Sequence, residues 1–216
     1  MTNDNLTLLG VLVDRSGSMN RIKADMEASL NSLVKEQYDA PGALLFTLGQ
    51  FNTQFETVWA LGQTPTNTEQ VYTMKPYGGT ALNDATAQFV HNIGNYLKFL
   101  PEHQRPSKVV IVIVTDGEEN SSREYDTKQI KDLIDQQKSE WKWEFIFLGT
   151  TDIDAFKNAG DIGVMRGQTM SFSPAQTRVA FAATSANISS YRETADAASL
   201  GYTDVQRLQA LDEDDK

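Results

Sequence analysis

Cysteine is absent from this chain of 216 residues, and histidine occurs only twice. The first absence removes disulfides, thiolate metal sites and thiol nucleophiles, and it fits a reducing cytoplasm. The second leaves little material for imidazole ligation or general-base catalysis. Basic residues are few beside acidic ones: 19 Lys and Arg against 29 Asp and Glu set a net charge of -10. That balance argues against a nucleic-acid backbone or an anionic membrane surface as the main partner and favours cations or basic surfaces. Long apolar runs are missing as well. The longest aliphatic run, Val109 to Val114, is far too short to cross a bilayer. The start, Met1-Thr2-Asn3-Asp4-Asn5, lacks the basic opening of a signal peptide. No internal repeat or low-complexity segment breaks the chain, and a cytoplasmic protein is expected.

What is present suffices for a well-buried core, since 40% of the residues are hydrophobic. The reading is one domain over residues 1–192 and a C-terminal extension over 193–216. The extension closes on Asp212-Glu213-Asp214-Asp215, expected to be solvated and frayed.

Apolar periodicity alternates between strand-like and helix-like, which points to an α/β layered fold. Leu6 to Val13 reads as a buried strand, and Ile22, Met26, Leu30, Leu33 and Val34 mark a helix over about residues 20–38. Leu44 to Phe51 and Phe55 to Ala60 read as an antiparallel hairpin, the one antiparallel edge of a mostly parallel sheet. A Thr/Asn/Gln-rich stretch and Gly78-Gly79 precede a long helix carried by Leu82, Ala85, Phe89, Ile93 and Leu97 and closed by Pro101. Lys108 to Thr115, the most apolar strand, is expected at the centre. Asp126 and Gln129 form a capping box for a helix with Ile130, Leu133 and Ile134 on its buried stripe. Trp143 to Leu148 is another strand. Ser173-Pro174-Ala175-Gln176 starts a helix running to about Arg192, whose Ala and Ser content would permit close packing or sliding. A short helix is expected over Asp204 to Leu211.

In such a sheet, ligand sites form at the carboxyl ends of the strands. Asp14, Ser16 and Ser18 follow the first strand, Asp116 follows the strand ending at Thr115, and Thr80 stands in the Gly78-Gly79-Thr80 loop before a helix. Hydroxyls backed by carboxylates suit a hard, reluctantly dehydrated cation such as Mg²⁺. Glu118, Glu119 and Asn120, and beyond the last strand Thr150, Thr151 and Asp152, lie close enough in sequence to line the rim. His91 and His103 read as surface residues, and Trp141 and Trp143 as packing residues.

Asp14-x-Ser16-x-Ser18, a lone Thr80 after paired glycines, and Thr115-Asp116-Gly117, in that order, resemble the metal-ion-dependent adhesion site of von Willebrand factor A domains. The likeness spans roughly residues 6–192 and is finest to small stand-alone A-domain proteins of bacteria and phages. It implies a doubly wound, Rossmann-like, mostly parallel sheet with helices on both faces. It implies a metal site of Asp14, Ser16, Ser18, Thr80 and Asp116 for Mg²⁺, with Mn²⁺ or Ca²⁺ as substitutes. Ser16 and Ser18 would bind directly, Thr80 when a ligand is engaged, and the two aspartates mainly through water. The implied partner is a protein that supplies a Glu or Asp carboxylate.

Two other functions compete. A phosphohydrolase or phospho-acceptor would use Asp14 as nucleophile, but Ser16 stands where haloacid-dehalogenase-type enzymes carry a second acid, and Gly149-Thr150-Thr151 stands where receiver domains carry a lysine. The chain could also serve as an adaptor for a separate AAA+ ATPase. A serine hydrolase is the poorest fit, since no Gly-x-Ser-x-Gly elbow surrounds Ser16 or Ser18.

Overall fold

The computed structural model describes residues 1–62 and 71–213. Most of the Thr/Asn/Gln-rich stretch, and Asp214 and Asp215 of the acidic end, lie outside the described residues. Six strands, β1 (Asn3–Asp14), β2 (Ala43–Phe51), β3 (Phe55–Trp59), β4 (Pro106–Thr115), β5 (Glu144–Thr150) and β6 (Thr169–Phe172), form one sheet in the order β3-β2-β1-β4-β5-β6. Every neighbouring pair is parallel except β2 and β3, the expected antiparallel edge.

Side chains of β1 alternate between two cores, as strand geometry requires. Leu9, Val11 and Val13 pack with Met26, Leu30 and Leu33 of α1 (Lys23–Asp39) and with Ala180, Phe181 and Ile188 of α5 (Thr177–Thr194). Leu8 and Leu12 join the opposite cluster, with Ala85 and Phe89 of α2 (Leu82–Phe99) and Ile130 and Ile134 of α3 (Thr127–Trp141). Burial of these faces at about 25 cal/mol per Å² is the main force holding helices on either side of the sheet.

The order reverses between β1 and β4: the chain leaves β1 through α1 to reach β2 on one flank, and later returns through α2 to place β4 on the other. A crevice opens at such a switch point. Register sets its floor, because Val13 pairs with Val114 and Thr115 with Gly149, so the carboxyl ends of β1, β4 and β5 finish nearly level.

Two details differ from the sequence expectations. The first helix is preceded by a tight 3₁₀ turn over Gly17–Arg21, so α1 proper begins at Lys23. Two elements not anticipated, α4 (Ala155–Asp161) and β6, are too short for periodicity to register. The expected C-terminal extension packs on the domain: Leu200, Tyr202 and Ala210 are buried in the α1/α5-side core, and the Tyr202 hydroxyl lies 2.7 Å from the Thr184 hydroxyl. α6 (Asp204–Gln209) sends Arg207 to the carbonyls of Arg166 and Gly167 beside the β6 edge. Even Asp212 is held, its N–H donating to Ser173 Oγ at 2.7 Å and its carboxylate accepting from Gln176. Ser173 thus ties down the tail as far as Asp212.

Candidate metal centre

Asp14 ends β1 with its carboxylate fully buried. Its Oδ1 accepts the Ser16 N–H at 2.6 Å and its Oδ2 accepts the Thr115 hydroxyl at 2.6 Å. The first bond folds the chain into a tight turn, and this brings the Ser16 and Ser18 hydroxyls within 3.1 Å of each other. Ser18 then donates to Asp116 Oδ1 at 2.7 Å, joining the β1 turn to the loop after β4.

The third loop is fastened to the first by backbone bonds. Gly17 N–H donates to the Gly78 carbonyl and Tyr77 N–H to the Arg15 carbonyl, each at 3.0 Å. Gly78 has φ of +79°, a conformation side-chain-bearing residues resist. A Cβ on Gly79 would come within 2.4 Å of Ser121 Oγ and 2.9 Å of Asn120 Oδ1, so it would displace the side chains that hold this loop. Gly17, by contrast, would meet nothing closer than 3.6 Å, and its lack of a side chain is not demanded by contacts. Thr80 N–H is held by Asn120 Oδ1 at 2.9 Å, and a Cβ on Gly117 would sit 3.0 Å from Thr80 Oγ1 and 3.8 Å from Asp14 Oδ2. The five residues singled out from the sequence thus share one place. Asp14, Ser16, Thr80 and Asp116 are buried, while Ser18 is exposed at the mouth.

Neighbouring residues hold this frame. Arg15, 9% exposed, stacks on the Tyr77 ring and pairs with Glu56 of β3 at 3.1 Å, so the variable position of the turn is anchored to the edge hairpin. Glu119 does not line the rim. Its carboxylate accepts the N–H groups of Asn83, Ser121 and Ser122, capping the start of α2 and shaping the loop after β4. Asp152 reaches the rim and pairs with Arg21. Thr115 and Asn120 carry more of the geometry than sequence suggested; Thr115 was visible as a hydroxyl inside the motif, whereas nothing marked Asn120 as the clamp on Thr80. His91 and His103 are exposed, and Trp141 is exposed while Trp143 is buried.

Burial pushes Asp14 up to about 6, against the pull of the Thr115 and Ser16 hydrogen bonds, and nearby Asp116 adds to the rise. Asp116 is also raised, again by burial, with Ser18 and Arg21 opposing. Asp116 Oδ2 is buried and has no hydrogen-bond partner among the described residues. Two carboxylates pushed upward by burial, and an Asp116 oxygen with no hydrogen bond, its neighbouring cation the Arg21 guanidinium at 3.7 Å, suit the binding of a divalent cation. No cluster of three or more His, Asp or Glu capable of holding a metal occurs among the described residues; the converging donors are hydroxyl and carboxylate oxygens, the set a hard divalent ion takes.

This charge state sets a pH dependence. The folded pKa of Asp14 lies above its unfolded value, so the folded chain binds this proton more tightly than the unfolded chain does. Through this group the metal-free protein gains about 1 kcal/mol on going from about pH 7.5 to about pH 5.5, and loses that gain as pH rises again. A cation competes for the same carboxylate, so its apparent affinity should fall about tenfold between about pH 7 and about pH 5. Calorimetric titrations with Mn²⁺ at the two pH values measure the second effect, and an affinity independent of pH would exclude Asp14 from the site.

The von Willebrand factor type A domain family matches residues 9–194. No curated protein sequence matches the chain. Among solved structures, proximal thread matrix protein 1 from the mussel byssus, in a form with a zinc-occupied MIDAS motif, superposes with a TM-score of 0.62 at 18% identity, over 81% of this chain and 46% of that one. A von Willebrand factor type A protein from Catenulispora acidiphila gives 0.60 at 17% identity, over 84% and 42%. Manganese-loaded TRAP protein of Plasmodium vivax gives 0.58 at 16% identity, over 82% and 72%. The chain therefore spans less than half the length of the first two.

Proposed function

The chain belongs to the von Willebrand factor type A domain family, and from that premise we propose that it is a non-enzymatic, divalent-cation-dependent module that binds an acidic residue of a protein partner. The convergence of Asp14, Ser16, Ser18, Thr80 and Asp116 from three loops, around a buried Asp116 oxygen that makes no hydrogen bond, carries this reading. Ser16 and Ser18 would hold the ion directly, with Thr80 joining when a ligand is engaged and the aspartates acting through water. Mg²⁺ fits the all-oxygen set, and the zinc- and manganese-bearing relatives support a divalent ion in general. When bound, an ion with few anionic ligands keeps an open position that a partner's carboxylate can complete.

The competing phospho-acceptor reading fares worse. Asp14 is 0% exposed and both its oxygens are engaged, by Ser16 and Thr115, so it is poorly placed for in-line attack on a substrate. Among the described residues no helix is long and apolar enough to cross a membrane; a cytoplasmic location is part of this proposal, and the lack of cysteine is compatible with it.

An array of peptides that carry a central Glu, each paired with its Gln counterpart, tests the proposal. Glu peptides should be retained in Mg²⁺ or Mn²⁺, Gln counterparts should not, and EDTA should release the bound set. Retention indifferent to metal, or to the Glu-to-Gln change, would refute it.

A further inference from the structure

Arg21 closes the 3₁₀ turn that contains Ser18, and its guanidinium faces two carboxylates at once. It hydrogen-bonds Asp152, and the same Nη2 lies 3.7 Å from Asp116 Oδ2. Asp152 is steadied from below by the Thr150 hydroxyl at 3.0 Å. The two carboxylates differ in kind. The Asp116 side chain is 0% exposed and its Oδ2 lacks a hydrogen bond, whereas Asp152 is 41% exposed at the rim. Arg21 itself is 43% exposed, so it can move between them without disturbing the core.

A monocation this close to a site carboxylate lowers the cost of leaving Asp116 ionised, and it repels a divalent ion that arrives at the same place. We propose that Arg21 is a resident counter-ion of the metal site: from its hydrogen bond to Asp152 it balances Asp116 across 3.7 Å when no metal is bound, and Asp152 is the outer seat that keeps it at the rim when a divalent cation enters. This rests on the metal site proposed above. It assigns a regulatory consequence to that site. Arg21 keeps the affinity for the bare ion low, and the negative charge of an incoming partner carboxylate offsets its repulsion, so ion and partner reinforce each other's binding.

The signature is a pair of effects with opposite signs. Calorimetric titration with Mn²⁺ at fixed ionic strength should show Arg21→Gln binding roughly tenfold tighter than the native chain, the partial exposure of Arg21 limiting the gain. The metal-free form of the same variant should melt at a lower temperature, because Asp116 has lost its neighbouring charge. A side chain with a merely structural role would lower both quantities. Arg21→Lys, which keeps the charge, should bind within about threefold of the native chain. Asp152→Asn, which removes the outer seat, should bind several-fold more weakly, and this variant decides the matter if Arg21→Gln does not fold. Equal or weaker binding by Arg21→Gln, or equal or tighter binding by Asp152→Asn, overturns the proposal. A native chain that takes up no Mn²⁺ refutes the metal site itself and the proposal with it, whereas a native isotherm that Arg21→Gln leaves unchanged refutes the counter-ion alone.

Discussion

Asp14→Ala is expected to abolish stabilisation of the folded chain by Mg²⁺ or Mn²⁺. At a concentration about a hundred times its dissociation constant, a ligand that binds only the folded state stabilises it by about 2.7 kcal/mol. For a chain of this size that is a rise of roughly 5–10 °C in melting temperature. The variant should show none of it. In metal-free buffer its own melting temperature should move by less than about 5 °C, because two changes oppose. Loss of the carboxylate leaves the Ser16 N–H and the Thr115 hydroxyl without their acceptor, but it also removes a buried charge whose pKa is pushed up to about 6. Differential scanning fluorimetry with a Mg²⁺ series separates the two. A variant stabilised by the ion as strongly as the native chain would mean that Asp14 is a structural capping residue and no part of a metal site.

Arg192→Met should cost about 3 kcal/mol or more, with a fall of roughly 6–12 °C in melting temperature. Arg192 is 6% exposed. Its guanidinium donates to the Gln37 backbone carbonyl, to Gln37 Oε1 at 3.1 Å, and to the carbonyls of Pro41 and Gly42 at 3.1 and 3.0 Å. Three of these acceptors lie at or just beyond the end of α1, where helical carbonyls have no intrahelical partners and the macrodipole is negative. Methionine fills most of the volume but answers none of the acceptors. Urea denaturation measures the loss, and a change below about 1 kcal/mol would show that water replaces the guanidinium without penalty. The same contacts bear on α5. Its Ala and Ser content suggested a helix able to slide, yet Gln37 also donates to the Ser185 carbonyl and to the hydroxyls of Ser185 and Ser189, and Thr184 pairs with Tyr202. Displacement along α1 would break the Gln37 bonds together, which opposes sliding.

The long elements were legible because their patterns are redundant. The strand read over Leu6 to Val13 is β1, the helix closed by Pro101 is α2, and the Asp126–Gln129 capping box is formed as expected. β6 has four residues and α4 seven, too few for a period of two or of 3.6 to stand out from chance. Candidate metal ligands were legible as residue types at strand ends. Their second partners were not, because Asn120 against Thr80, Arg21 between Asp116 and Asp152, and Glu119 beneath α2 are contacts made across loops. Glu118, Glu119 and Asn120 look alike as a polar run, yet Glu118 is exposed while Glu119 and Asn120 hold the loops together. The difference arises from which way each side chain leaves the turn, which depends on backbone geometry rather than residue type.

The placement of β1 between β2 and β4 has a consequence for how the chain comes into being. Leu8 pairs with Leu45 on one side and with Val109 on the other. At about 5–20 residues per second, a nascent chain would expose the inner edge of β1 for roughly 3–15 s after β2 has left the ribosome. Pairings so distant along the chain also form slowly in any refolding experiment. Asp14 and Asp116 sit at the two sides of that seam, so their carboxylates meet only after β4 has closed against β1. Ion uptake therefore reports the closing of the central seam, whether or not β5 and β6 have yet been added.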